Sequence, residues 1–330
     1  MSIKIKVQPS GKSFEAQPHE TLLESALRSG LSPAYNCSNG SCGECRAKLI
    51  SGKLGEPKFH DFNFTEADKQ AGYFLLCRNC AATELEVEII EAGSVADIPH
   101  QEVSAKVKSL EKLNDHVMLL RVRLPRSQTF RFLAGQQATI NIADLEPRNK
   151  SIASCPCITQ FVDFHIGYNP ADPFSDYVFN QLKASDPISL SGPEGKFVLD
   201  ETSSKPVIFI AFKTGFSAIK SLIEHAIGIE MTQPMHLYWL SPDNKGIYMH
   251  NYVRSWTDAL DNLSYVGITG YEEKLCLEQA AEKIVTDFPD LSAFQVYMSG
   301  PEKKMSIITE KTIQHQLKLE NLFIDAQRRY

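Results

Sequence analysis

Four cysteines constrain this chain more than any other feature. Cys37, Cys42 and Cys45 follow the spacing C-x4-C-x2-C, and Cys77 stands further on. Four thiolates in this pattern hold a [2Fe–2S] cluster at the plant-type spacing. A loop that brings three sulfurs to one inorganic core must bend sharply and aim backbone N–H groups at it. Gly40 and Gly43 supply the backbone freedom, and Ser38, Asn39 and Ser41 are small enough not to crowd the core. The fourth ligand lies in the apolar run Leu75-Leu76-Cys77, which can carry a sulfur into a packed interior. Zinc is the rival reading. Cys42-x2-Cys45 and Cys77-x2-Cys80 are two half-sites for a tetrahedral ion. Their separation exceeds the usual zinc-ribbon spacing, and zinc leaves Cys37 and the glycine-rich loop unexplained.

The chain has 330 residues and a net charge of −6, so it predicts two or three domains and lacks the basic footprint of a nucleic-acid binder. Arg121, Arg123, Arg126 and Arg131 gather around one alternating run, which reads as a solvated strand face. No stretch reaches the length of a membrane span, and Met1–Val7 alternates like a strand rather than a signal peptide. A cytoplasmic protein is therefore expected. There Cys80, Cys155, Cys157 and Cys276 should remain thiols. Cys155-x-Cys157 is too close for an ordinary disulfide and is given no role.

Residues 1–92 read as one small domain. Ile3–Val7 and Ser13–Ala16 form a hairpin about Ser10-Gly11. Thr21 and Glu24 form a capping box, and Leu22, Leu23, Ala26 and Leu27 line one helix face. With Ala47–Ile50 and Leu85–Ile89 this predicts a four-stranded β-grasp sheet crossed by one helix, the ferredoxin fold. Residues 93–100 read as a linker. Residues 101–202 hold short strands at 103–110, 116–124, 137–142, 162–166 and 188–190, with a helix near 174–182. These predict a small antiparallel β-barrel. From 203 to 330 the pattern alternates: strand 206–211, helix 217–229, strand 235–240, helix 275–284, strand 294–298, helix 303–316. That is a doubly wound α/β domain. The fold class is thus α+β and multidomain.

In this order the parts resemble the ferredoxin–NAD(P)H reductase superfamily, and within it the group of CDP-6-deoxy-glucoseen reductases and oxygenase reductase components. Several motifs carry the likeness. Ala134-Gly135-Gln136 is similar to the barrel's A-G-Q turn. Arg148-Asn149-Lys150-Ser151 stands at the flavin motif R-x-Y-S. Gly192–Phe197 matches G-P-x-G-x-F. Thr214-Gly215 matches part of the nucleotide loop G-G-T-G, and Tyr297–Pro301 stands at Y-x-C-G-P.

The resemblance implies an FAD-type barrel and an NAD(P)-type α/β domain. It implies an oxidoreductase that passes single electrons through the cluster to a partner protein. Arg148, Lys150, Ser151 and Ser175 are the implied flavin contacts. Lys213, Thr214 and Gly215 are the implied nucleotide contacts, and Ser299 stands where the family has its cysteine.

The chain also departs from the pattern. Lys150 replaces the stacking tyrosine, and Gly167 replaces an arginine. Ala171-Asp172-Pro173-Phe174-Ser175 replaces a glycine-rich turn. Phe212 and Lys213 replace two glycines, Ala218 a proline, and Gln327 an aromatic. An alternative follows: an electron-transfer or docking protein that keeps the cluster while its reductase half has lost FAD or NAD(P)H binding.

Overall fold

The computed structural model describes residues 2–92, 94–125, 128–158, 160–270 and 272–326. Gln327 and Tyr330 lie outside the described residues.

The first sheet contains β1 (Ile3–Gln8), β2 (Ser13–Ala16), β3 (Arg46–Ser51), β4 (Tyr73–Leu75) and β5 (Leu85–Glu88). Its order is β2-β1-β5-β3-β4, with β1 and β5 parallel. Ile5 and Val7 alternate inward from β1 and pack under α1 (Leu22–Arg28). The Thr21–Glu24 capping box is formed in full. The sheet has five strands rather than the expected four. The additional β4 is three residues long, too short for an alternation pattern, and only its pairing with Arg46–Lys48 defines it. A short α2 (Glu66–Gln70) precedes it.

The second sheet holds β6 (Gln101–Asn114), β7 (Val117–Arg123), β8 (Gln137–Asn141), β9 (Arg148–Ser151), β10 (Phe161–Gly167) and β11 (Pro187–Glu194). Its order is β10-β7-β6-β11-β8-β9. An isolated bridge from Ile152 to Phe164 nearly closes the barrel around Leu120, Val122, Ile140, Phe164 and Leu190. Helix α3 (Pro173–Asn180) covers one end. Strand β9 goes unread in the sequence because Arg-Asn-Lys-Ser carries no apolar signal. Its buried positions are polar, Arg148 and Ser151.

The third sheet is wholly parallel, in the order β14-β13-β12-β15-β16. It runs β12 (Val207–Phe212), α4 (Phe216–Gly228), β13 (Met235–Ser241), α5 (His250–Ala259), β14 (Leu263–Thr269), α6 (Glu273–Asp287), β15 (Gln295–Gly300), α7 (Glu302–Gln314) and β16 (Leu322–Ala326). Strand β12 is buried at every residue, as its continuous apolar run requires. The chain order reverses between β13 and β15, on either side of β12. This is the point where open α/β sheets bind ligands.

No helix among the described residues is long and apolar enough to cross a membrane. One expectation is overturned. Cys155 and Cys157 are joined as a disulfide, because the turn at Pro156 brings their Cα atoms to 5.2 Å, within the range of roughly 4.4–6.8 Å that a bridge spans.

Candidate redox centre and cofactor cleft

The cluster loop is built as the cysteine spacing requires. Gly40 has φ +82° and Gly43 φ +78°, left-handed values that favour glycine. Space demands glycine as well. A Cβ at Gly40 would lie 2.5 Å from His60 Cβ, and one at Gly43 would lie 2.0 Å from the Phe62 ring. The backbone N–H groups of Ser41 and Cys42 donate to Cys37 Sγ at 3.3 and 3.4 Å, and the Glu44 N–H donates to Cys42 Sγ at 3.5 Å. Burial alone would push the Cys37 thiol up, but these donors outweigh it and bring it to about 6. Iron binds the thiolate form.

Cys45 and Cys77 sit with their sulfurs 3.2 Å apart. Cys77 is placed from both sides: the Leu76 N–H donates to Cys45 O, and the Leu23 N–H of α1 donates to Leu76 O. Among the described residues no three His, Cys, Asp or Glu side chains converge as one ion would need. A two-iron cluster instead divides four thiolates into two pairs. The donors, their pairing and the N–H groups fit it. Cys80 is half-buried outside this set.

A second centre is a cleft of about 580 Å³ between the barrel and the third sheet. It brings together Arg148, Lys150, Ser151, Gly167, Asp172 and Thr214. Ser175, Lys213 and Gly215 are not in its wall. Ser175 is buried in the first turn of α3, where its hydroxyl donates to Asn169 O at 2.9 Å.

The polar groups of this cleft already hold one another. Arg148 donates to Asp172 Oδ1 at 3.1 Å and to Glu146 Oε2 at 3.2 Å. Asp172 also caps α3 through the Ser175 N–H. Burial would raise the Asp172 carboxyl, but Arg148 and the capping N–H outweigh it and hold it below its ordinary value. Lys150 lies half-buried with Nζ 6.0 Å from the Phe174 ring centre, and burial pushes its pKa down.

Behind the cleft wall, Ser151 and Ser299 each donate to Asp325 Oδ2 at 2.8 Å, and Gln137 donates to Oδ1. Burial pushes the Asp325 carboxyl up, against these donors. His165 pairs with the Tyr248 hydroxyl at 2.9 Å, and burial lowers it to about 3, so its ring is neutral.

The nucleotide side shows a similar mixture. Lys213 has φ +50°, and its carbonyl accepts from Trp239 Nε1 at 3.0 Å. A Cβ at Gly215 would lie 2.1 Å from Ser299 O, so this glycine is needed for close approach. Phe212 is almost wholly buried. Lys213 and Lys304 bracket Glu273 at 4.0 and 2.5 Å above the Phe212 ring. Behind the loop, Phe216 stacks on Trp239 with centroids 3.8 Å apart, and Tyr248 meets Trp239 edge-on.

The cleft therefore has volume for a flavin ring. Arg148, the cation expected to meet a flavin phosphate, is however matched by carboxylates. Sequence reasoning placed Arg148 and Asp172 separately, and nothing in the sequence pairs them. His165 was missed as a cleft group and Asp325 as the residue behind Ser151, since both act through residues far away in the chain.

Residues 5–82 match the family model described as the 2Fe-2S iron-sulfur cluster binding domain. The whole chain is 29% identical to the CDP-6-deoxy-L-threo-D-glycero-4-hexulose-3-dehydrase reductase of Yersinia pestis, covering 99% of this chain and 98% of that one. It is 27% identical to terephthalate 1,2-dioxygenase reductase component 1 of Comamonas sp, over 81% of this chain and 78% of that one. The solved ferredoxin reductase in carbazole 1,9a-dioxygenase superposes with a TM-score of 0.61 at 19% identity, covering 99% of each chain.

Proposed function

We propose that this chain, which carries a 2Fe-2S cluster binding domain and is similar along its length to a dehydrase reductase, is a member of the ferredoxin–NAD(P)H reductase superfamily, an iron–sulfur oxidoreductase of the cytoplasm that hands single electrons to a separate partner protein. Nicotinamide gives two electrons together, an iron–sulfur cluster takes one, and a flavin does both, which is why the three groups are chained. Cys37, Cys42, Cys45 and Cys77 are the cluster ligands, with Cys45 and Cys77 side by side. Ser41 and Cys42 N–H groups stabilise the thiolate of Cys37. Neutral His165 and Ser151, which is held from behind by Asp325 together with Ser299, line the cleft where FAD and NAD(P)H would meet. The partner follows from the relatives' names, a dehydrase reductase and a dioxygenase reductase component.

The observation that carries this reading is the loop in which Cys45 and Cys77 sit 3.2 Å apart while N–H groups converge on Cys37. Protein purified without oxygen should contain iron and sulfide and show a [2Fe–2S] absorption spectrum. Cys77→Ala should lose that spectrum, and Cys80→Ala should keep it. Stoichiometric zinc with neither iron nor sulfide would refute the reading.

A second reading is favoured by the Arg148–Asp172 pair. The cluster works, but the reductase half binds FAD weakly and serves mainly to position the cluster domain. The same spectrum separates the two, because flavin and cluster absorb differently. About one FAD per chain after gel filtration supports the first reading. Cluster without flavin supports the second.

A further inference from the structure

A separate cleft of about 480 Å³ lies between the cluster domain and the barrel. Two cluster-loop residues, Ser38 and the ligand Cys77, form part of its wall. Lys58, Arg78, Lys108 and Arg123 also line it, and they come from four different segments of chain. Among the described residues none of the four forms an ion pair. Arg78 Nε is buried there with no hydrogen-bond partner. The one carboxylate in the wall, Glu24, is occupied by its capping box: its Oε2 accepts from the Thr21 N–H at 2.9 Å and from Oγ1 at 2.7 Å. Beside Lys58, Phe59 is 82% exposed.

We propose that this cleft is the docking site through which an acidic surface of the redox partner reaches the cluster at Cys77. The proposal rests on the reading that electrons leave through the cluster. Charge argues for the occupant. The chain as a whole is negative, at −6, yet four unmatched cations converge beside one cluster ligand. Such a local reversal steers an acidic surface into one orientation. Exposed aromatic and arginine side chains together are the usual anchors of a protein interface. Phe59 with Arg78 therefore fits a protein surface better than a free anion. The arrangement also explains why β7 alternates Arg121, Val122, Arg123. Arg121 is held by Asp163 at 2.8 Å, whereas Arg123 is left for the cleft.

The test uses the full chain with its cluster reduced by dithionite, which needs neither flavin nor nicotinamide. The reduced cluster is mixed with ferricyanide, an anion, or hexaamminecobalt(III), a cation. Each takes one electron from the cluster, giving ferrocyanide or cobalt(II). Re-oxidation by ferricyanide should be the faster, and should slow as salt is added. Lys58→Glu with Lys108→Glu, both exposed positions, should lower the ferricyanide rate about tenfold and raise the cobalt rate.

A ten-residue glutamate peptide with a central tryptophan should bind by calorimetry and slow ferricyanide, and a lysine counterpart should do neither. Phe59→Ala should weaken that peptide severalfold. Equal anion and cation rates, or a peptide that binds wild type and the double variant alike, would overturn the docking site while leaving the cluster assignment intact. Ferricyanide preference without peptide binding would show a small-anion site and overturn the protein partner. Absence of iron and sulfide would instead refute the proposed function.

Discussion

Arg148 and Asp172 decide at the level of single residues how the barrel's cleft treats an anion. A guanidinium facing solvent is ready to bind a phosphate. One already bonded to Asp172 at 3.1 Å must break that contact first. A charge-assisted hydrogen bond contributes about 1.5–3 kcal/mol, and each 1.4 kcal/mol or so is tenfold in affinity. Asp172→Asn keeps a side-chain oxygen for capping α3 and removes the charge. The expected result is FAD affinity tighter by about tenfold or more in a fluorescence titration, with the melting temperature little changed.

The sign with pH is fixed by the direction of the shift. The Asp172 carboxyl lies below its ordinary value, so the pair is intact at neutral pH. It opens only as pH falls below the usual carboxylate value of about 3.9. Wild-type FAD affinity should therefore stay level from pH 8 to about pH 5. A steep rise in that window, or no gain from Asp172→Asn, would show that the pair does not restrict the flavin.

Helix α1 matters to the cluster through its first turn. The Leu22 N–H donates to Asn79 O, and the Leu23 N–H donates to Leu76 O. The helix start therefore clamps both sides of Cys77. Losing a threonine cap costs about 1 kcal/mol. Thr21→Ala should lower the melting temperature by a few degrees and shorten the lifetime of the cluster in air. If the melting temperature falls but cluster lifetime does not, the helix stabilises the domain without guarding the ligand.

This helix was readable in the sequence because its evidence is local: a cap, an acid three residues on, and apolar residues on one face. Strand β12 was readable for the same reason, as one unbroken apolar run. Strands β4, β9 and β16 were not. Each is three to five residues long, and each exists only because a distant strand supplies its hydrogen bonds. Strand β14, at the sheet's edge, keeps half its residues in contact with water and so shows a weak pattern. The cysteines proposed as cluster ligands stand out in the sequence because spacing alone marks them. The Arg148–Asp172 pair was not legible, since it joins a strand and a helix cap that meet only once the barrel has closed, and the Asp325 cluster was not, since it joins β9, β15 and β16 only once the third sheet has packed on the barrel.

One carboxylate, Glu201, ties the cluster domain to helix α4. Glu201 accepts from Lys12 Nζ at 3.0 Å, in the β1–β2 hairpin, and pairs with His225 Nε2 at 2.8 Å, on α4. Nearby, Thr129 donates to Asn36 O at 2.8 Å, next to the first cluster ligand. Gly30 packs so closely on α4's end that an added Cβ would lie 2.2 Å from Ile229 Cγ2.

Burial would push the Glu201 carboxyl up. His225, by hydrogen bond and charge, and then Lys12 outweigh it and bring it down to about 2. A carboxylate lowered in the folded state stabilises fully above its unfolded value, about 4.3. That contribution is lost as pH falls from there towards 2. Lys12 is 44% exposed, so its share is screened and belongs in the range of about 0.2–1 kcal/mol. Acid should therefore loosen the cluster domain from the rest before either unit unfolds.

Small-angle scattering of the wild type should show the radius of gyration rising between about pH 4 and pH 2, while circular dichroism still reports folded sheets. Glu201→Gln lacks the charge that holds Lys12, so it should show part of that expansion already at pH 7 and a flatter response to acid. An unchanged radius for Glu201→Gln at neutral pH, with a wild-type acid profile, would mean that Thr129, Gly30 and their neighbours hold the cluster domain without this carboxylate.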